Sequence, residues 1–279
     1  MAEAVGFLAV LIMKNTLDLN QNLIHYYDID FENRVLTIHD GVTCIIPEMF
    51  KDVPFVSVFD SVQIPSSVKI IDKNAFQDFM IKRLIIPEGV KYIEDCAINM
   101  GETEEIYLPS TLIQIGSAAF RNIDKTNIKK FVIGNPKVKF ENSFNFNGLE
   151  CRLHGIKNYV GYKAFRCLDE RSLVCRNFYY EEGKTYEMDD KPQCCIKGFH
   201  FCKTPVDCFK YYNGFYNYYN DERCYPIVVH EVYILGDVDY DNFTEETKGC
   251  TNKIKIGRSL TLQECFDKSI EIWQNLSKK

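Results

Sequence analysis

The chain has 279 residues, of which 46% are hydrophobic and 26% charged, and its formal net charge at pH 7 is −6. This length suggests about two domains, and the composition excludes disordered, collagen-like and coiled-coil chains. The net negative charge argues against non-specific electrostatic binding to the phosphates of nucleic acid, so we do not predict a nucleic-acid partner.

The amino-terminal segment contains the longest apolar run, residues 4–13, which is too short to span a membrane. No Lys or Arg precedes this run and no small-residue cleavage site follows it, so it does not fit a secretory signal. We therefore predict that residues 1–35 cap one end of a repeat array, with no membrane contact. On the same reasoning, the twelve cysteines are predicted to be reduced thiols in the cytoplasm.

Residues 36–166 carry an internal repeat. Residues 64–68 (Ile-Pro-Ser-Ser-Val) recur, 22 residues later each time, as residues 86–90 (Ile-Pro-Glu-Gly-Val) and residues 108–112 (Leu-Pro-Ser-Thr-Leu). An Ala-Phe pair keeps the same phase at positions 75–76, 119–120 and 164–165. Together with more degenerate copies, this periodicity predicts about six units.

Each unit has the pattern of one coil of a solenoid. Leu84 and Ile86 alternate with polar neighbours, which predicts a short strand with these two side chains facing inward. Pro87 ends the strand because it offers no ladder donor, and Val90 fills the next bend. One unit cannot bury its own apolar edge, so the fold requires stacked coils with short parallel strands.

These repeats resemble BspA-type leucine-rich repeats, most closely over residues 64–120. The resemblance implies a solenoid, and solenoids commonly bind partners along their concave surface. Strand alternation predicts which residues lie on that surface, a mixed set with no single charge sign. These candidate binding residues are Gln63, Arg83, Ile85, Glu105, Tyr107, Lys130 and Arg152. The alternative is a solvated face with no specific ligand.

Residues 167–279 are predicted to form a separate, cysteine-rich α+β domain. Strands are predicted at residues 178–180, 198–202, 228–235 and 253–256 from their aromatic, β-branched or alternating residues. Thr261 and Glu264 form a capping box that opens an amphipathic helix. The predicted fold class is therefore α+β, with a repeat solenoid followed by a smaller α+β domain.

This second domain also resembles a known family. Residues 198–202 (Gly-Phe-His-Phe-Cys) and 251–256 (Thr-Asn-Lys-Ile-Lys-Ile) are similar to the signature of an uncharacterised carboxy-terminal domain found in tailed phages and bacteria. The resemblance spans roughly residues 173–266 and implies a phage, viral or mobile-element origin. It implies no reaction. If the protein is viral, the predicted location is the host cytoplasm.

A cluster of cysteines around one histidine is a candidate metal site. Cys194, Cys195, His200, Cys202 and Cys208 lie within fifteen positions of one another. His200 and Cys202 share a strand face and could chelate an ion together. However, the cluster holds no Cys-x-x-Cys pair, and adjacent cysteines on a strand point to opposite faces. We therefore predict buried structural cysteines, with no metal and no cofactor.

Two enzymatic patterns are present in weak form. Cys202 could act as a nucleophile beside His200, with Asp207 or His230 orienting the imidazole. Alternatively, the order of Arg176, His200, a Tyr-rich helix and Glu231 resembles the element order of ADP-ribosyltransferase domains. That resemblance names Arg176, His200 and Glu231 as candidate catalytic residues, but likeness at the level of elements does not establish function.

An aromatic run that follows the predicted strand at residues 198–202 is a further candidate interface, since tyrosines are enriched at binding hot spots. Its central members are Tyr216, Tyr218 and Tyr219.

The leading hypothesis is a non-enzymatic protein-binding scaffold, of phage or viral origin, that engages or blocks a host protein. The alternative is an enzyme in the carboxy-terminal domain, such as an ADP-ribosyltransferase, whose target the repeats select.

Overall fold

The computed structural model describes residues 26–54, 57–140, 144–147, 160–167, 173–175, 177–211, 227–240 and 247–277. Its internal contacts divide the chain into two compact units, residues 1–147 and residues 148–279. Each unit has its own sheets and its own apolar core, so each is described by itself.

The first unit is a β-solenoid with three sheets, one on each side of the coil. The six-stranded sheet contains β1 (Tyr27–Asp30), β2 (Val35–Ile38), β4 (Ser57–Gln63), β6 (Phe79–Ile85), β9 (Glu105–Leu108) and β12 (Lys130–Ile133). The five-stranded sheet contains β3 (Cys44–Ile45), β5 (Ile70–Ile71), β7 (Tyr92–Ile93), β10 (Gln114–Ile115) and β13 (Lys139–Phe140). The three-stranded sheet contains β8 (Ile98–Asn99), β11 (Phe120–Asp124) and β14 (Phe144–Asn147).

Identical positions of successive coils stack in parallel register, which builds apolar columns inside the solenoid. In the six-stranded sheet Leu84 pairs with Ile106, and both are fully buried. In the five-stranded sheet Ile71, Ile93 and Ile115 pair in sequence and are at most 1% exposed. The repeat solenoid with short parallel strands, predicted from the 22-residue rhythm, is therefore confirmed.

The amino-terminal end of the six-stranded sheet is formed differently from the rest. Strand β1 pairs with β2 in antiparallel register, whereas β2 and the later strands of this sheet pair in parallel. Among the described strands of this sheet, the parallel stacking therefore begins at β2. The predicted cap segment, residues 1–35, therefore includes the hairpin strand β1, and its residues 1–25 lie outside the described part of the chain.

The second unit is built on one nine-stranded sheet in which the paired strands run antiparallel. Its strands are β15 (Val160–Cys167), β16 (Leu173–Cys175), β17 (Phe178–Tyr180), β18 (Thr185–Glu187), β19 (Phe199–Cys202), β20 (Ile227–Ile234), β21 (Val238–Tyr240), β22 (Lys248–Thr251) and β23 (Lys253–Leu260). The main order is β18-β23-β20-β15-β19-β22-β21, and β16 and β17 extend from β15.

Among the described residues, two helices accompany this sheet: α1 (Cys208–Tyr211), a single turn, and α2 (Leu262–Leu276). The predicted capping box of α2 is present, since Thr261 accepts the amide of Glu264 and the Glu264 carboxylate accepts the amide of Thr261. Among the residues that the structure describes, α2 is the one helix longer than a turn. The expected α+β character therefore rests on α2 alone, and the unit is mainly β.

Apolar clusters lie on both faces of this sheet. One face packs Phe165, Phe201, Val232 and Ile254, while the other packs Tyr162, Val229 and Leu260 against Cys265 of α2. This burial on both faces is visible in β20, where Val228 packs against the first cluster and its neighbour Val229 belongs to the second.

The repeat rhythm predicts coils as far as residue 166, with the Ala-Phe pair at 164–165 as the last landmark. The structure instead places Ala164 and Phe165 in β15, where they pair with Val229 and Val228 of β20. Strand β15 is thus a central strand of the second unit, and the two units divide between residues 147 and 148.

In the described part of the chain, no helix is both long enough and apolar enough to cross a membrane.

Candidate functional site

The outward side of the six-stranded sheet carries most of the residues predicted for binding. Strand alternation turns Leu84, Ile106 and Phe131 inward, where they are at most 2% exposed, so their neighbours face out. We call this surface the ladder face. It is formed by Gln63, Arg83, Ile85, Glu105, Tyr107, Lys130 and Val132.

One row of the ladder face is charged. Parallel register aligns Arg83 with Glu105 and Glu105 with Lys130 on three successive coils. Arg83 Nε lies 3.5 Å from Glu105 Oε2. The row therefore alternates in sign, with a carboxylate between two cations.

The adjacent row is apolar and centres on an aromatic ring. Register aligns Ile85 with Tyr107 and Tyr107 with Val132, and Ile85 leaves 44% of its surface exposed. The Tyr107 hydroxyl donates to Glu105 Oε2 at 3.0 Å, and Lys130 Nζ lies 5.1 Å from the centroid of the Tyr107 ring. These two contacts hold the ring of Tyr107, which belongs to the apolar row, against the charged row.

Gln63 is the remaining predicted binding residue that the structure describes. Gln63 is exposed at the end of β4 and accepts the Thr37 hydroxyl at 3.4 Å on the neighbouring coil. Arg152 and the tyrosines at positions 216, 218 and 219 lie outside the described residues. Six of the seven positions chosen on the repeats are thus located on one sheet.

In the second unit, His200 is held beside two cysteines: Cys194, a member of the cluster predicted from sequence, and Cys250, which lies outside that cluster. His200 pairs with Cys250 across strands β19 and β22, and its Nε2 accepts the amide of Cys195 at 2.9 Å. The ligand-type atoms of Cys194, His200 and Cys250 all lie within 4.8 Å of one another. A hydrogen bond with Cys250, together with burial, raises the pKa of the Cys194 thiol well above its ordinary value.

Cys202, which was predicted to chelate or react together with His200, belongs to a different environment. It is buried in the apolar cluster under α2, with Tyr162, Cys208 and Cys265. Burial raises the pKa of the Cys265 thiol to about 12, with a smaller contribution from Glu264. Among the described residues, no hydrogen bond joins Cys202 to His200, so the structure does not assemble the Cys-His nucleophile.

The candidate catalytic residues Glu231 and His200 are engaged by separate sets of side chains. Glu231 Oε1 lies 3.2 Å from Lys268 Nζ of α2, and its Oε2 lies 3.9 Å from Arg258 Nε. Burial, followed by the Glu231 carboxylate, raises the pKa of Tyr162 on the neighbouring strand to about 12. Arg176 lies outside the described residues. In the described part of the chain, no contact joins Glu231 to His200.

Stacked parallel coils with a repeated Ile-Pro step define the first unit as a repeat solenoid of the leucine-rich class. Residues 24–152 match the BspA type leucine rich repeat region in six copies, and residues 159–268 match a domain of unknown function, DUF7666. The chain thus contains a region that matches BspA-type leucine-rich repeats, followed by a region that matches the DUF7666 domain. Neither the comparison with curated proteins nor that with solved structures finds a match.

Proposed function

We propose that this chain is a non-enzymatic protein-binding scaffold whose repeats engage a protein partner through the ladder face. The observation that carries the proposal is the pair of rows on β6, β9 and β12, in which an exposed apolar strip runs beside a charged strip. Repeat solenoids generally use such surfaces to bind other proteins. Tyrosine and arginine, both present here, are the residues most enriched at binding hot spots.

The chemistry of the two rows describes the partner surface that would fit. Arg83 and Lys130 flank the single carboxylate of Glu105, so the charged row carries one net positive charge. Ile85 and Tyr107 offer apolar area at the centre of the face. A fitting partner would present an apolar side chain beside a carboxylate. The apolar side chain would be buried against Ile85, and the carboxylate would pair with Arg83 and Lys130.

The further proposal that the partner is a host protein rests on the resemblance of the second unit to a domain of tailed phages and bacteria. In that case the two proteins would meet in the host cytoplasm. This location is supported by the cysteines, since no disulfide joins any two of those that the structure describes. Free thiols are the usual state in reducing compartments.

Affinity capture with the intact chain tests the proposal. We expect the double variant Arg83→Ala with Tyr107→Ala to lose the partner that the unaltered chain captures from a host lysate. Loss of two hot-spot side chains, at about 2 kcal/mol each and with additive effects, would weaken the Kd by roughly 700-fold. The Kd is then measured with the purified partner.

The matched control changes two exposed residues that precede strands of the five-stranded sheet, Lys91→Ala with Ile113→Ala. We expect this variant to bind like the unaltered chain, because it leaves the ladder face intact. Equal capture by the ladder-face variant and the control would reject the ladder face as the binding site.

A further inference from the structure

Three neighbouring strands of the second unit place a histidine, a cysteine and an aspartate in one row. His200 on β19 pairs with Cys250 on β22, and Cys250 pairs with Asp239 on β21. Residues that lie directly opposite each other in antiparallel strands point to the same face of the sheet. The row therefore presents an imidazole, a thiol and a carboxylate side by side.

The connection from β18 to β19 brings a second cysteine to this row. The Cys194 amide donates to Asp239 Oδ2 at 2.7 Å, and the Cys195 amide donates to His200 Nε2 at 2.9 Å. Reciprocal backbone hydrogen bonds between Gln193 and Lys197, at 2.7 and 2.8 Å, close the turn that holds both cysteines. The carboxylate and the imidazole of the row thus hold the backbone amides of Cys194 and Cys195 against the sheet.

The resulting cluster has the composition and spacing of a zinc site. The two sulfur atoms and an imidazole nitrogen lie within 4.8 Å of one another. Tetrahedral zinc, with bonds of about 2.3 Å to sulfur and about 2.0–2.1 Å to nitrogen, holds such atoms about 3.4–3.8 Å apart, so a small inward movement suffices. Cys250 is fully buried, while Cys194 and His200 are half-buried. Thiolate and imidazole are ligands that favour zinc over magnesium or calcium.

We propose that Cys194, His200 and Cys250 bind one zinc ion, which fastens the β18–β19 connection onto the edge of the sheet. On binding, the two thiols release their protons to solvent and become thiolates. His200 binds through the lone pair of Nε2, so the Cys195 amide gives up its hydrogen bond to that atom. Water occupies the fourth position. Asp239 is a positioning residue, because it reaches Cys194 through the backbone amide.

Zinc titration of the intact, reduced chain tests the site, with Cys195→Ser as a matched control at the adjacent, exposed cysteine. We expect one zinc per chain and an unchanged Kd in the control. Cys194→Ser and Cys250→Ser should each weaken the Kd by more than roughly 100-fold, and Asp239→Ala by about 10-fold. Cobalt should give the absorption bands of a tetrahedral thiolate site in the unaltered chain and in the control, and lose them in the two ligand variants.

Thermal unfolding of each variant with and without zinc provides a second test, which also applies to a variant of lower stability. Zinc should raise the Tm of the unaltered chain and of Cys195→Ser, because it binds the folded state, and should leave the Tm of Cys194→Ser and Cys250→Ser unchanged. Zinc binding that survives in Cys194→Ser and disappears in Cys195→Ser would overturn the ligand assignment. An unaltered chain that binds no zinc when reduced, or whose mass shows a Cys194–Cys250 disulfide after purification under reducing conditions, would overturn the proposal itself.

Discussion

Glu88 and Ser110 lie one coil apart, and the Glu88 carboxylate accepts both the amide and the hydroxyl of Ser110, at 2.8 and 2.9 Å. The same carboxylate also accepts the amide of Thr111 at 3.2 Å. The loop after one strand of the six-stranded sheet is thereby tied to the equivalent loop of the next coil. A similar tie joins Asp95 to the amide of Ser117 at 2.6 Å, again 22 residues on.

This contact predicts a pH-dependent stability. The backbone amide and hydroxyl of Ser110 hold the pKa of Glu88 below its ordinary value. Since the folded-state pKa is the lower one, the contribution of Glu88 is complete above the pKa of an unfolded glutamate, about 4.3, and is lost as the pH falls through the folded pKa. We therefore expect Glu88→Gln to lower the urea midpoint at pH 7 more than at pH 3.

Glu102→Gln is the control, because Glu102 is an exposed glutamate of the same solenoid. It should leave the midpoint at pH 7 close to that of the unaltered chain. If Glu88→Gln lowers the midpoint equally at both pH values, the hydrogen bonds to the charged carboxylate do not stabilise the stack.

A second prediction concerns the bend that precedes the third sheet. Asn74, Cys96 and Ala118 occupy the same place in successive coils, and their φ angles are 60°, 54° and 48°. This left-handed conformation costs an alanine about 1–2 kcal/mol, whereas glycine adopts it freely but loses more chain entropy on folding. We expect Ala118→Gly to raise the free energy of unfolding by about 0.5–1 kcal/mol.

The adjacent Ala119 provides the control for this substitution. It is fully buried, so Ala119→Gly should lower the free energy of unfolding through lost packing and added chain entropy. Chemical denaturation of both variants measures the difference. A loss of stability in Ala118→Gly comparable to that in Ala119→Gly would show that the left-handed position carries no strain.

The solenoid could be predicted from sequence because its contacts repeat locally. Period-two alternation predicted Leu84 and Ile86 as buried and Arg83 and Ile85 as exposed, and each of these four assignments is confirmed. The Ala-Phe landmark of the 22-residue repeat gave a wrong assignment at Ala164, since two residues in the right phase do not specify which strands they will join. Pairing with Val229, 65 positions away, places Ala164 in the second unit.

The cysteine cluster could be predicted only in part, for a related reason. Alternation along one strand indicated that His200 and Cys202 share a face, but it could not show that Cys202 lies beneath α2. Cys250 meets His200 through the register of two strands that are separated by almost fifty positions. No periodic pattern in the sequence encodes such a register, so the ligand set became visible only when the sheet was known.

A last prediction concerns the role of Glu231. Its carboxylate joins the sheet to α2 through Lys268, and the exposed fractions of the two side chains are 14% and 32%. Partial burial strengthens an ion pair relative to a fully exposed one, and removal of either partner leaves a charge poorly solvated. A double-mutant cycle with Glu231→Ala and Lys268→Ala should give a coupling free energy of about 0.5–2 kcal/mol.

Arg258 offers the matched comparison, because it lies farther from Glu231, at 3.9 Å, and is 51% exposed. Its main partner is Glu264, at 2.8 Å. A cycle of Glu231→Ala with Arg258→Ala should therefore give a coupling of less than about 0.5 kcal/mol. If Glu231→Ala instead unfolds at the midpoint of the unaltered chain, its carboxylate does not fasten the helix. The case for a chemical role of Glu231 would then be stronger than the structural one.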